Sequence, residues 1–467
     1  MTHRQRWVLV LTSIASLMVA LDVTVVSTAL SSIRLHLGAS IEQLEWTVNA
    51  YGLSFAVLLM TGAVLGDRFG RRRVFAVGLA LFVLASGACA LAGDVGWLIA
   101  ARTLQGAGAA VIAPASLALL SGAFAPDQRG RALGIFGGIT GLAVVGGPVI
   151  GGAVTQGLAW QSIFWLNVPL GLGAIPLVLR RMDESFGPPA AVDVRGLVLV
   201  TGAALGIVWG LVRGNTAGWG SAEVLATLAT GAALGITFVL WELRAPVPML
   251  PMRLFGSRRF ASGNAASLLM FGALFSAVFF MAQFLQTALG SSPFEAGLRL
   301  IPWTGTVFFV APLAGALVER IGERPLVVCG LLMQGAGLAW IALVADSGVQ
   351  YAQLIVPLVL AGVGISMAIP ATQNAVMTAV GASELGKASG TFSTMRQLGG
   401  AFGLAIAVAA FSGSGSYASP GAFSDGFTAA IAVSATLSLL GGVAGALLGT
   451  RRAARAGAPV LEGAAAG

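Results

Sequence analysis

Fourteen stretches of about twenty predominantly apolar residues run along this chain, each long enough to cross the hydrocarbon core of a bilayer. They begin near Trp7, Trp46, Val74, Trp97, Ala132, Ile163, Val194, Ala222, Ala261, Ile301, Leu326, Tyr351, Ser389 and Phe427. In lipid, only helices and closed barrels satisfy every backbone polar group. The 65 glycines fall mostly inside the runs, where small residues let helices approach closely, and no strand-like alternation with aromatic girdles appears. The expected fold is all-α and integral to a membrane. With 57% hydrophobic and 9% charged residues, a water-soluble domain is excluded.

An even number of spans places both termini on one side, and loop charge selects the side. One set of loops carries Arg68, Arg71, Arg72, Arg73, Arg129, Arg131, Arg180, Arg181, Arg244, Arg253, Arg258, Arg259, Arg320, Arg324 and Lys387, with Arg451, Arg452 and Arg455 at the end. The opposite set carries Arg34, Arg213 and Arg299. Positive loops stay inside, so both termini are expected in the cytoplasm and the protein in the cell's inner (plasma) membrane. The net charge of +8 therefore reports topology, and nucleic acid is not an expected partner. The basic start, Met1 to Arg6, leads into a run too long for a signal peptide, so the first span is read as retained. Cys89 and Cys329 lie within predicted spans, and His3 and His36 outside them. Neither a disulfide, a metal site nor a nucleophile–base constellation is expected, and the chain does not read as an enzyme.

Two loops repeat. Leu65-Gly66-Asp67-Arg68-Phe69-Gly70-Arg71-Arg72 follows the second run, and Leu317-Val318-Glu319-Arg320-Ile321-Gly322-Glu323-Arg324 follows the tenth. Equating those runs divides the chain as six plus two plus six spans. The expected boundaries are a six-helix bundle over 1–181, a connector with two inserted helices over 182–250, a second bundle over 251–450 and a cytoplasmic tail over 451–467. In the first loop Gly70 permits a tight turn, and Asp67 can pair with an arginine or cap a helix. Such a cluster can lock one arrangement of two domains; alternatively it is a basic anchor that only sets topology.

Asp22 reads as the only carboxylate well inside an apolar run. A charge there costs at least about 2.5 kcal/mol, which makes an intramembrane acid a functional-site candidate.

With these features the chain resembles the major facilitator superfamily, and within it the 14-span drug:proton antiporter branch of multidrug efflux transporters, over nearly its whole length. Leu21-Asp22-Val23-Thr24-Val25-Val26 is similar to the branch's first-span signature, with Ser31 where a closing Pro is usual. Gly66 to Arg72 is similar to the superfamily's loop motif, whose first glycine is here Ala63. Arg102-Thr103-Leu104-Gln105-Gly106 resembles the motif whose arginine is tied to proton coupling. Gly147-Pro148-Val149-Ile150-Gly151-Gly152 resembles the motif of exporters, with Ala143 at one expected glycine; ordinary glycine-rich packing is the plainer reading. Trp160 to Pro169 and Gly386 to Gly390 with Arg396-Gln397-Leu398-Gly399-Gly400 fit the branch as well.

The resemblance implies the major-facilitator fold, two six-helix bundles plus two inserted helices, and a proton-coupled antiporter that exports lipophilic small molecules by alternating access. A proton-coupled uptake symporter is the alternative. The implied partners are the small molecule, protons and the lipid bilayer; the protein would act as a monomer, driven by the proton gradient with no other cofactor and no metal. Asp67, Arg68, Gly70, Arg71, Arg72, Gly147, Pro148, Gly151 and Gly152 are the implied gating residues. Counting 1.5 Å per residue places Asp22 and Arg102 each about 22 Å from the cytoplasmic edge. They are expected to share a hydrated cavity in which Asp22 exchanges Arg102 for a proton; a permanent salt bridge is the structural alternative. The second half shows no buried acid or base at corresponding places. Its first helix instead carries Phe271, Phe275 and Phe279 at i, i+4 spacing. That face meets lipid or another helix, or else it lines a lipophilic pocket with Gln283 and Gln286, and with Asn49 and Gln105 from the first half.

Overall fold

A computed structural model of the protein describes residues 1–187, 191–381 and 384–449. The tail 451–467, with Arg451, Arg452 and Arg455, lies outside the described residues. Seventeen α-helices are described: α1 (His3–Leu37), α2 (Ile41–Phe69), α3 (Arg71–Ala90), α4 (Val95–Ala123), α5 (Pro126–Gly157), α6 (Ser162–Trp165), α7 (Asn167–Arg181), α8 (Val194–Ala217) and α9 (Ala222–Glu242) in the first part of the chain. There follow α10 (Arg258–Thr287), α11 (Pro293–Arg299), α12 (Ile301–Thr304), α13 (Thr306–Ile321), α14 (Glu323–Val344), α15 (Tyr351–Met377), α16 (Leu385–Ser414) and α17 (Pro420–Ala446). Taking α6–α7 and α11–α13 each as one interrupted crossing, they give 14 helical segments long and apolar enough to span a membrane.

Several helices start ahead of the apolar runs because polar caps, not hydropathy, set their first turns. Thr2 with Gln5 and Ser40 with Gln43 form capping boxes that begin α1 at His3 and α2 at Ile41. The second case changes the inventory of charges. Glu45 falls inside α2 and is fully buried, so Asp22 is not the only carboxylate within a span.

Helices α1 to α5 and α7 pack into one bundle, and α10 with α13 to α17 into another. The repeated loops fold alike: Gly70 (φ 103°) separates α2 from α3, and Gly322 (φ 83°) separates α13 from α14. Only glycine takes such a φ without strain, and it lets each helix end abruptly and the next begin at once. Between the bundles, α8 and α9 form a hairpin laid along the seam where α2 meets α16. Leu53, Ala56 and Val57 of α2, Ala204, Val208 and Val212 of α8, and Leu398, Ala401 and Ala405 of α16 share one apolar core there. Asn215 of α8 also donates through Nδ2 to the Ala409 carbonyl of α16.

The face where α1 begins and α17 ends is here the terminal face; the opposite one is the far face. At the far face the bundles close on each other. Gln286 Nε2 of α10 donates to the Thr28 carbonyl of α1 at 3.1 Å, and Gln156 Oε1 of α5 accepts from the Phe294 amide of α11 at 3.2 Å. Arg34, at the end of α1, lies 4.0 Å from the ring centroid of Tyr417 in the α16–α17 loop. Burial among these groups holds the Tyr417 phenol above its ordinary pKa, with Arg34 opposing. Toward the terminal face, α5 has few contacts with α13.

Candidate functional site

Asp22 from α1 and Arg102 from α4 meet in the interior of the first bundle, Nη1 on Oδ2. Their side chains are each only 1% exposed, so in this conformation they lie sealed in the bundle, not in the hydrated cavity expected from the sequence. The rings of Tyr51 and Phe164 exclude water by covering the guanidinium at 4.3 and 5.8 Å. An ion pair in such a place persists only if its remaining donors and acceptors are met. Here they are. Gln105 Nε2 donates to Asp22 Oδ1 at 2.7 Å, and Gln105 Oε1 accepts from Arg102 Nη1 at 2.8 Å. Arg102 Nε donates to the Thr47 carbonyl of α2 at 3.1 Å. The network continues through Ser86 Oγ, 3.3 Å from Gln105 Nε2 and 3.1 Å from Asn167 Nδ2 of α7.

The spacing explains the convergence: Arg102 and Gln105 lie three residues apart and therefore on one face of α4. The consequence is chemical. Arg102 has acceptors in Thr47 and Gln105 besides Asp22, so it remains bonded if the carboxylate gains a proton.

Six residues along α1 from Asp22, about 9 Å at 1.5 Å per residue, lies Thr28 at the far-face closure. The glycines of α5 form the other side. A Cβ at Gly147 would collide with the Thr24 side chain, and one at Gly151 would sit 2.6 Å from Thr28 Oγ1. A Cβ at Gly152 would strike the Pro293 carbonyl of α11, and one at Gly297 of α11 would strike the Pro148 carbonyl. The glycine motif thus serves close backbone approach both within its bundle and across to the other. Ala143, at an expected glycine, has its methyl buried, and its carbonyl accepts from Thr24 Oγ1 at 3.0 Å.

The Asp67 loop docks on a partner that sequence reasoning missed. Asp67 Oδ1 accepts from Arg71 Nε at 2.9 Å, and its carbonyl accepts from the Gly187 amide. Glu184, just past α7, accepts from the amides of Arg72 at 2.8 Å and Arg73 at 3.3 Å, and its carboxyl lies where a Cβ of Gly70 would be. Arg68 is exposed at the edge, 5.3 Å from the Phe69 ring.

The six residues expected to line a pocket are not gathered in one place. Gln105 belongs to the Asp22 network. Asn49 Nδ2 donates to Glu45 Oε1 at 2.9 Å, leaving Glu45 Oε2 without a hydrogen-bond partner. Phe279 and Gln283 are buried within the second bundle, with Phe279 edge-on to Phe280 at 5.0 Å and Tyr417 donating to Gln283 Oε1. Phe275 meets Gly400 of α16, and Gln286 bridges to α1. Charges of the second half lie elsewhere than at a counterpart of Asp22: Arg259 pairs with Glu323 at 2.6 Å where α10 and α14 begin, and Arg396, half-buried, sits midway along α16. Glu45 was detectable from the Ser40–Gln43 cap and Arg396 from its depth in its run; no sequence signal marked Glu184. Among the described residues no group of three or more His, Cys, Asp or Glu is placed to hold a metal.

A family model described as the Major Facilitator Superfamily matches residues 12–282 and 263–465. The Tetracenomycin C resistance and export protein of Streptomyces glaucescens is 36% identical over 84% of this chain and 73% of its own length. The Cephamycin export protein CmcT of Amycolatopsis lactamdurans is 35% identical over 88% of this chain and 86% of its own. The Multidrug resistance protein Stp of Mycobacterium tuberculosis is 35% identical over 87% of this chain and 76% of its own. Among solved structures, a bacterial homolog of the human lysosomal transporter Spinster, inward-facing and unoccupied, has a TM-score of 0.68 at 17% identity, covering 96% of this chain and 97% of that one. That likeness establishes the fold.

Proposed function

The chain belongs to the Major Facilitator Superfamily, and from that premise we propose that it is a proton-coupled antiporter exporting lipophilic small molecules, drugs or antibiotics among them, by alternating access. The reading is carried by relatives named for resistance and export that align over more than four-fifths of the chain. Their direction of transport favours export over uptake. The protein is a multi-pass membrane transporter. We place it in the plasma membrane as a monomer with the arginine-rich terminal face in the cytoplasm, with protons as the coupling ion and no cofactor beyond their gradient. In this placement the far face, closed here, is the outer one.

Coupling follows from what each group touches. Ionised, Asp22 ties α1 to α4 through Arg102 and Gln105. Protonation removes the charge that holds this tie, while Thr47 and Gln105 keep Arg102 bonded. Helix α1 is then freer to move, and it carries Thr24 and Thr28, against which Gly147 and Gly151 of α5 close. Pro148 and Gly152 continue that contact to α11. Asp67, Gly70, Arg71 and Arg72, locked onto the Glu184 segment, with Arg68 beside them, act as the gate at the cytoplasmic end.

The test uses the full protein in proteoliposomes and a panel of drugs, beginning with the compounds for which the relatives are named. Drug-driven proton release should occur in the wild type and vanish in Asp22→Asn with protein abundance unchanged. Undiminished release and undiminished resistance in Asp22→Asn would overturn the assignment of Asp22. Absence of drug-driven release for every compound in the wild type would overturn the antiporter.

A further inference from the structure

The joint between the two bundles holds a cation for which the described residues supply no anion. Arg396 lies eleven residues past the start of α16, about 16 Å into a core about 30 Å thick. Its side chain is half-buried, and its Nε is enclosed without a hydrogen-bond partner. Its recorded aromatic contact is Phe271 of α10, with Cζ 5.7 Å from the ring centroid, near the outer limit of a cation–π attraction. Four other arginines within helices are paired with carboxylates, Arg102 with Asp22, Arg259 with Glu323, Arg213 with Glu223 and Arg299 with Glu295, and Arg34, near the far-face end of α1, stacks on Tyr417. An intramembrane charge left without such a counterpart marks a place where something else supplies it.

The surroundings indicate what that is. Tyr51 of α2 lies within electrostatic reach of both Arg396 and Arg102, and beyond it Asp22 is already committed to Arg102 and Gln105. Glu45, six residues before Tyr51 on α2, is bonded to Asn49. On the α10 side stand Phe271 and Phe275, whose rings are tilted at 6.0 Å. A fork of N–H donors beside aromatic walls fits a planar anion attached to an apolar body.

We propose that Arg396 anchors an anionic group, a carboxylate, of the exported compound, so that the preferred cargo is a lipophilic weak acid. This rests on the export reading and names the substrate class of that site. Tyr51, whose ring lies 4.3 Å from the Arg102 guanidinium and which interacts electrostatically with Arg396, then links the proton site to the cargo site.

Isothermal titration of the full chain in lipid nanodiscs, with 1-naphthoate and its uncharged methyl ester as probes, tests the assignment. Wild type should bind the carboxylate about tenfold more tightly or better, the scale of a charge-assisted hydrogen bond. Arg396→Gln should abolish that preference, and Arg396→Lys should keep part of it, because a point charge lacks the paired donors. Equal binding of both probes by wild type, or an undiminished preference in Arg396→Gln, overturns the proposal. If Arg396→Gln fails to fold, wild type and Arg396→Lys decide: no preference in wild type, or an undiminished one in Arg396→Lys, counts against the paired donors of Arg396. Missing preference with drug-driven proton release intact removes this inference alone. Preference with no such release removes the export reading and leaves the anion site.

Discussion

The two six-helix bundles share a plan but fill their interiors with opposite chemistry. The first is centred on an ion pair and a chain of amides and hydroxyls from Asp22 to Asn167. The second is centred on stacked rings, Phe284 on Phe427 at 4.1 Å and Phe280 on Phe411 at 5.1 Å. Its polar contacts there are neutral: Ser276 with Ser434 at 2.9 Å, and Ser438 with Gln334 at 3.1 Å. A neutral core has one protonation state and therefore one preferred packing. A charged core has two, so under the proposed coupling the first bundle is the half that would respond to a proton and the second its counterpart.

The contrast is most severely tested by Arg102→Met, which strands the Asp22 carboxylate. A loss of about 3–5 kcal/mol is expected, read as a lowered melting temperature in detergent, with most of it recovered when Asp22→Asn is added. Wild-type melting in the single variant would break the contrast. Phe284→Ala in the second core should cost about 3 kcal/mol yet leave the number of protons released per exported molecule unchanged. A changed ratio would mean that the aromatic core also takes part in coupling. Gly151→Ala, at the contact linking α5 to α1, should cost about 1–3 kcal/mol, because its methyl meets Thr28 Oγ1 and the Val25 carbonyl within 3 Å. Export should fall further than stability. Asp67→Asn should have the smallest effect on melting, about 0.2–1 kcal/mol, since its partner Arg71 is partly solvated. A transport defect much larger than that loss would assign the loop to gating; proportionate losses would leave it an anchor.

Much of this was legible in the sequence. The number of crossings follows from run length, and the repeated loop follows from Gly70 and Gly322, because a positive φ demands glycine at both. The partnership of Asp22 with Arg102 could be approached by counting residues along two helices, since rise per residue is nearly constant. What escaped was whatever depends on side-chain packing. Hydropathy placed the second span at Trp46 and so left Glu45 outside, whereas the Ser40 cap draws it in. The covering of the Asp22–Arg102 pair by Tyr51 and Phe164 is a matter of four helices converging, and nothing in α1 alone encodes it. The pocket residues were grouped by residue type, yet Gln105 is consumed by an ion pair and Gln283 by Tyr417. Glu184 reaches the Asp67 loop from more than a hundred positions away.

The α8–α9 hairpin makes the molecule lopsided toward its solvent. On one flank the joint of α2 and α16 abuts protein, while on the other α5 and α13 present mostly exposed flanks. Under the proposed alternating access the bilayer would bathe the joint from a single side, and the thickness and lateral pressure of the lipid would act on the two seams unequally.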